Sequence, residues 1–124
     1  MKDVNNIRII KRKADSLKKE KDDGHIEYKW KLINIEKKRF MRIITQMNYR
    51  LNEGNGKSMY AIGFLDDGRP IGITYNEMET TLHHIKNAAK HINADITKIL
   101  IFIENNNYWA KIFLSKNNIN KNTF

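Results

Sequence analysis

Apolar and polar side chains alternate from Ile26 to Leu32, a period of two that predicts a half-buried strand over residues 25–33. Tyr28 and Trp30 share its apolar side, so we expect both in the core. A helical repeat follows and predicts a helix over residues 36–52. Its buried stripe comprises Phe40, Ile43, Ile44, Met47 and Leu51. Gly54 is well placed to end this helix.

A hairpin is predicted next, with strands at 58–65 and 70–74 joined by an Asp-Asp-Gly turn at Asp66, Asp67 and Gly68. Thr74 and Glu77 then have the spacing of a capping box, which predicts the start of a second helix. The apolar stripe of that helix comprises Met78, Leu82, Ile85, Ala89 and Ile92. Asn93 can adopt the left-handed conformation that ends it.

Two further strands are predicted at 95–104 and 108–116, separated by three asparagines. The predicted order is β-α-β-β-α-β-β. This order indicates an α+β fold, a single two-layer domain with a mostly antiparallel sheet and two helices on one face. We assign this domain to residues 25–116. Residues 1–24 are predicted to be a basic, mobile leader, and residues 117–124 a polar tail.

The whole chain has 124 residues, no cysteine and a formal net charge of +9, most of which lies before residue 54. A length of this order suggests one domain, and the missing thiols exclude disulfides. We expect no signal peptide or membrane span, and hence a cytoplasmic location. The positive charge can attract RNA phosphates. It can equally follow from an AT-rich genome, which favours the codons of Lys, Asn and Ile.

Motifs that could carry chemistry have simpler explanations. Gly56-Lys57-Ser58 resembles the end of a P-loop, but Leu51 stands where the first glycine belongs, and a strand rather than a helix is predicted to follow. Asp66 and Asp67 suit a turn better than acid–base catalysis. His83, His84 and His91 lack the further ligands that zinc requires. We therefore predict no catalytic residue, no metal site and no small-molecule substrate.

Two surfaces could bind a partner. The first helix carries Arg39, Arg42, Gln46 and Arg50 at helical spacing, a combination that suits contacts to phosphates and to base or ribose edges. A solvated helix face is the alternative. Aromatic residues on the strands could stack on unpaired bases, although their pattern favours core packing.

The most distinctive stretch runs from Thr45 to Gly56 as TQMNYRLNEGNG. It leads into MYAIGFLDDG at 59–68, PIGI at 70–73 and ADIT at 94–97. In order and spacing these segments resemble the N-terminal region of the GTP-binding protein 1/2 family. Tyr49 stands where that family has Trp, and Asn93 where it has Gly.

The resemblance implies an accessory domain of a GTPase related to translation elongation factors, in which the GTPase domain follows the strand that matches 108–116. The family motif includes the loop glycines Gly54 and Gly56 and the turn residues Asp66, Asp67 and Gly68. The resemblance implies RNA (tRNA or ribosome) or a translational GTPase domain as the partner. GTP and Mg are expected only in a full-length or partner GTPase. A free-standing basic RNA-binding domain is the alternative.

Overall fold

The computed structural model describes residues 6–17 and 24–117. The predicted α+β class is confirmed, because two helices lie against a five-stranded sheet. The elements, in chain order, are β1 (Ile7–Ile10), β2 (Ile26–Lys29), α1 (Lys37–Glu53), β3 (Lys57–Ile62), α2 (Tyr75–His91), β4 (Asp95–Glu104) and β5 (Asn107–Ser115).

The strands follow the order β1-β4-β5-β3-β2 across the sheet. β5 is antiparallel to both of its neighbours, whereas the edge strands β1 and β2 run parallel to β4 and β3. Parallel strands need a crossover connection, and α1 supplies it between β2 and β3. α2 carries the chain from β3 past β5 to β4.

Both helices bury their apolar stripes against the same face of the sheet. The main core joins residues of α1 such as Met47, residues of α2 such as Ile85, and sheet residues such as Tyr60 and Ile112. Alternation along each strand sends every second side chain to this layer. The predicted stripes of both helices are therefore confirmed, except that Phe40, Ile44, Leu82 and Ile92 remain partly exposed at its margin.

The opposite face of the sheet, here called the outer face, is covered only in part. Residues 11–17 lie across it, and Ala14 packs with Phe64, Phe102 and Trp109 in a second core cluster. The Leu17 amide donates to the Gly68 carbonyl, which fixes this segment to the turn after β3. The end of the sheet where β3 begins and β5 ends has no such cover among the described residues.

Several strand predictions differ from the structure. Residues 7–10, predicted as part of a mobile leader, form the edge strand β1 and pair with β4. Residues 70–74 form single bridges at Pro70 and Ile73 rather than a strand. Proline cannot donate to a ladder, and Gly72 takes a left-handed φ of 85°, so regular pairing is not sustained. The rest of the predicted leader (1–5 and 18–23) and residues 118–124 lie outside the described residues.

Helix α1 ends at the predicted place for a different physical reason. Gly54 has a φ of −91°, which any residue can adopt. A Cβ at Gly54 would lie 1.7 Å from the Lys57 carbonyl oxygen and 2.6 Å from the His25 Cβ. Gly54 is therefore required by close approach of the backbone, and Asn55 and Gly56 supply the left-handed turn that follows.

Candidate functional site

A groove of about 600 Å³ lies beside α1, at the edge of the sheet formed by β2. Arg39, Arg42 and Gln46, three of the four predicted contact residues, line it. Their spacing of three and four residues places them on one side of the helix, as the sequence predicted. Lys29 from β2 and the exposed ring of Tyr49 belong to the same lining.

The groove is strongly electropositive. Arg39 and Arg42 are exposed, and within the described part of the chain neither forms an ion pair or a side-chain hydrogen bond. The first turn of α1 contains no acidic residue, and the helix start has no side-chain cap. Cations near a helix N-terminus oppose the helix dipole. Arg39 and Arg42 therefore present positive charge that nothing in the described fold neutralises.

Arg50, the fourth predicted residue, has a different role. Its Nε donates to Oε1 of Glu27 at 2.8 Å, and its guanidinium also donates to the Gly24 carbonyl at 2.8 Å. Glu27 is buried, and its other carboxylate oxygen lies 3.3 Å from Lys29 Nζ. Arg50 thus holds the start of β2 against α1, and its charge is already compensated.

The Glu27 carboxylate also influences its neighbour in the sheet. Glu27 is paired in register with Tyr60 on β3, on the face covered by α1. Burial raises the pKa of the Tyr60 phenol, and the Glu27 charge raises it further. The Tyr60 phenol therefore stays protonated. The cluster of Tyr60, Glu27 and Arg50 serves packing and charge compensation.

Gly54 and Gly56 lie before β3, and Asp66 and Asp67 lie after it. None of these four residues lines the α1 groove. Gly54 and Gly56 form the tight loop into β3, and the Lys116 amide donates to the Gly56 carbonyl. At the other end, the Arg69 amide lowers the pKa of the exposed Asp67 carboxyl, which also pairs with the Arg69 side chain at 2.7 Å. Asp66 is exposed. These residues shape turns.

Gly68 is needed for the packing of the outer face. It has a left-handed φ of 89°, and a Cβ there would collide with the backbone of Leu17. The turn that contains the acidic pair is therefore also the place where residues 11–17 attach. This close approach could not be read from the local turn pattern, because the partner lies about fifty residues away in the chain.

The Gly-Lys-Ser stretch and the histidines form no phosphate or metal site in the described structure. Lys57 begins β3 directly after Gly56, so the Gly-Lys-Ser stretch leads into a strand and not into the helix that a P-loop needs. Among residues 6–17 and 24–117, no three His, Asp or Glu side chains cluster as metal ligands. His84 and His91 instead contact the ring of Phe40. No helix in the described chain is long and apolar enough to cross a membrane.

Sequence reasoning did not single out Lys29, Thr45 or Tyr49 as members of the groove. Lys29 belongs to the polar side of an alternating strand, the side that a half-buried strand turns to solvent, but in the structure that side faces α1. Tyr49 was noted only as a substitution for the family's Trp. Trp30, which we expected in the core, is 47% exposed because β2 ends at Lys29, and its indole Nε1 donates to the Gly72 carbonyl. The alternating pattern continues past the end of the strand and so misplaced it.

Comparison with known proteins finds matches to a small part of much longer proteins. The chain is 44% identical to GTP-binding protein 2 of human and of mouse over 78 residues, which is 63% of this chain and 13% of the relatives. It is 25% identical to GTP-binding protein 1 of Xenopus laevis over 83 residues, again 13% of that protein. The chain thus spans about an eighth of the length of these relatives.

A second kind of relative is shorter. An uncharacterized protein of Acanthamoeba polyphaga mimivirus is 29% identical over 94 residues, which is 75% of this chain and 50% of that protein. No family model and no solved structure matches the chain. The sequence motifs and the matches agree, and this chain is similar to one part of GTP-binding protein 2.

Proposed function

We propose that this chain is a non-catalytic accessory domain of a GTPase of the translation elongation factor type, and that it contacts ribosomal RNA or tRNA through the α1 groove. The observation that carries this proposal is the pair of uncompensated guanidinium groups of Arg39 and Arg42 in one groove. Planar guanidinium groups suit the geometry of phosphate oxygens and can bind two of them at once.

The other lining residues fit the same ligand. The Gln46 amide makes no hydrogen bond within the described chain and can both donate and accept, as contacts to base or ribose edges require. The exposed Tyr49 ring offers a surface on which an unpaired base can stack. Phosphate contacts would give the affinity, and Gln46 and Tyr49 would fix the position of the RNA.

The proposal assigns no catalytic residue to this chain. GTP and Mg would belong to a GTPase domain, in a longer form of the protein or in a partner, and this domain would place that GTPase on its RNA. Docking onto the GTPase domain itself is the other form of the accessory role, and the same groove would then meet an acidic protein surface.

A free-standing RNA-binding domain is the second candidate. The match to the mimivirus protein favours it, because the shared region makes up half of that protein and only 13% of the GTP-binding proteins. Both candidates predict that RNA binds in the α1 groove. They differ in whether binding of a GTPase domain changes the affinity for RNA.

The test is fluorescence anisotropy of this chain with a labelled RNA hairpin, at about 50 mM and about 200 mM salt. We expect the double variant Arg39→Gln/Arg42→Gln to lose about tenfold or more in affinity and to show a smaller salt dependence. The control is Lys86→Gln/Lys90→Gln, which makes the same charge change on α2.

Loss of less than about twofold is expected for the control variant. Equal losses in both variants would show that net charge alone attracts the RNA, and no binding at low salt would contradict the proposal. If the GTPase domain of a GTP-binding protein 2 relative binds this chain and RNA does not, the docking form of the accessory role is supported instead.

A further inference from the structure

The part of the outer face that no described residue covers forms a second groove, of about 680 Å³. It lies at the end of the sheet where β3 begins, away from residues 11–17. In-register pairing places Ile26, Met59, Phe113 and Lys98 in one row across four strands. All four side chains are half-buried and belong to the face opposite the helices. A volume of this size accommodates a small ligand.

The lining of this outer groove combines an apolar floor with a basic rim. Ile26, Met59 and Phe113 form the floor, and Lys57, Lys98 and His25 stand around it. No lining residue is acidic. Lys98 and Lys57 form no ion pair within the described part of the chain. This lining suits an occupant that is anionic and also carries a flat or apolar group.

The position of Lys98 shows how both needs can be met together. Its Nζ lies 4.5 Å from the centroid of the Phe113 ring, a cation–π distance. A planar group that stacks on the ring would displace this ammonium group and leave it free to meet a negative charge beside the ring. A nucleotide supplies such a planar group and such a charge about one ribose apart.

We infer that the outer groove binds an unpaired nucleotide of single-stranded RNA, with the base on Phe113 and the flanking phosphates at Lys98 and Lys57. The inference rests on the proposed function in taking RNA as the ligand, but it uses the opposite face of the sheet. Duplex RNA does not fit this groove, because paired bases are stacked on each other and offer no free ring face.

The test compares two ligands by fluorescence anisotropy: a single-stranded oligouridine, and an RNA hairpin whose short loop leaves no base free of stacking. Phe113→Leu keeps an apolar side chain beside Met59 but removes the ring. We expect this variant to lose about fivefold or more in affinity for oligouridine and to bind the hairpin within about twofold of the original chain. Arg39→Gln/Arg42→Gln should show the larger loss for the hairpin.

A second variant protects the test against misfolding. Lys98→Gln leaves the floor intact and should lower both the oligouridine affinity and its salt slope, by about 0.7 in the slope for one lost phosphate contact. Lys86→Gln on α2 is the matched control and should leave both unchanged. Circular dichroism confirms that each variant is folded.

The outcomes separate this inference from the proposed function. Oligouridine affinity unchanged in Phe113→Leu and in Lys98→Gln, with hairpin binding still dependent on the α1 groove, would overturn the outer groove alone. Failure to bind either RNA would overturn both. Binding of a polyglutamate peptide that is lost in Phe113→Leu, with no binding of oligouridine, would show that the face accepts an acidic peptide, and would also overturn the inference.

Discussion

Helices α1 and α2 have the same length and pack on the same face of the sheet, yet their polar sides are built differently. α2 begins with a complete capping box, in which the Glu77 amide donates to the Thr74 hydroxyl and the Glu77 carboxylate accepts from the Thr74 amide. Glu77 lies in its first turn and Lys90 in its last, which suits the helix dipole.

The start of α1 breaks each of these rules. Its N-cap, Glu36, makes no side-chain cap, and Lys37, Lys38 and Arg39 follow in the first turn. Local stability would favour acidic residues there. The comparison teaches that the terminal charges of α2 serve folding, whereas the cations at the start of α1 carry a cost that the fold does not require. Departure from the stabilising pattern is expected where a surface binds a ligand.

Arg50→Ala should give the largest change in stability, because it is the one arginine of the predicted surface that serves the fold. Its removal leaves the buried Glu27 carboxylate with Lys29 alone. We expect a loss of about 2 kcal/mol, less than for a fully buried pair because Arg50 remains partly exposed. Urea unfolding monitored by circular dichroism measures it.

Arg42→Ala is the matched control for Arg50→Ala, and it should change the free energy of unfolding by less than about 0.5 kcal/mol. A loss in Arg42→Ala as large as that in Arg50→Ala would mean that the α1 groove is itself structural. The division of α1 into a fold-supporting end and a free surface would then be wrong.

Thr74→Ala tests the other helix. It removes the hydroxyl that accepts from the Glu77 amide, and loss of a threonine N-cap costs about 1 kcal/mol. The equivalent change on α1, Glu36→Ala, removes no cap and should cost less than about 0.5 kcal/mol. Thermal unfolding compares the two variants. Equal costs would contradict the difference in capping described above.

The pH dependence of stability should give the smallest effect. The Lys31 ammonium, at 2.7 Å, and the Thr74 amide lower the pKa of the Glu77 carboxyl from its usual value of 4.5. A carboxyl with a lowered pKa in the folded state stabilises the fold above its unfolded pKa. This contribution is lost as the pH falls through the folded pKa.

The melting temperature should therefore fall from about pH 6 to about pH 3, and Glu77→Gln should remove a small part of that fall, equivalent to less than about 1 kcal/mol. Asp66→Asn is the control, because it removes an exposed carboxylate in the turn after β3. A pH profile identical in Glu77→Gln and the original chain would show that the pair with Lys31 contributes nothing.

Local patterns predicted the elements whose cause is local. α2 begins at the predicted capping box and ends where Asn93 takes a left-handed φ of 55°. The fourth strand was predicted with its observed bounds, Asp95 to Glu104, because its apolar, β-branched run is long and is bounded by turn residues.

Features that depend on distant partners could not be predicted in this way. β1 has only four residues, and its partner β4 is about ninety positions away. Glu27 looked like a solvent-facing residue of an alternating strand, but β2 is an edge strand whose polar side meets α1. Residues 11–17 carry few apolar groups, and their place on the outer face depends on the turn at Gly68.

The α1 groove shows the same division. Helical spacing brought Arg39, Arg42 and Gln46 together correctly, since that relation is internal to one helix. Spacing also placed Arg50 with them, and only its pairing with Glu27 across the layers separates it. Phe113 and Lys98, which form the outer groove, come from two different strands and had no common signal in the sequence.

A titration of the ¹⁵N-labelled chain with the RNA hairpin, followed in amide NMR spectra, tests the central claim most directly. The account predicts that the largest shifts fall on α1 between Arg39 and Tyr49 and on Lys29 of β2, with α2 unaffected. Shifts that concentrate on α2, or that spread evenly over all lysines and arginines, would contradict the claim that α1 is the RNA-contacting surface.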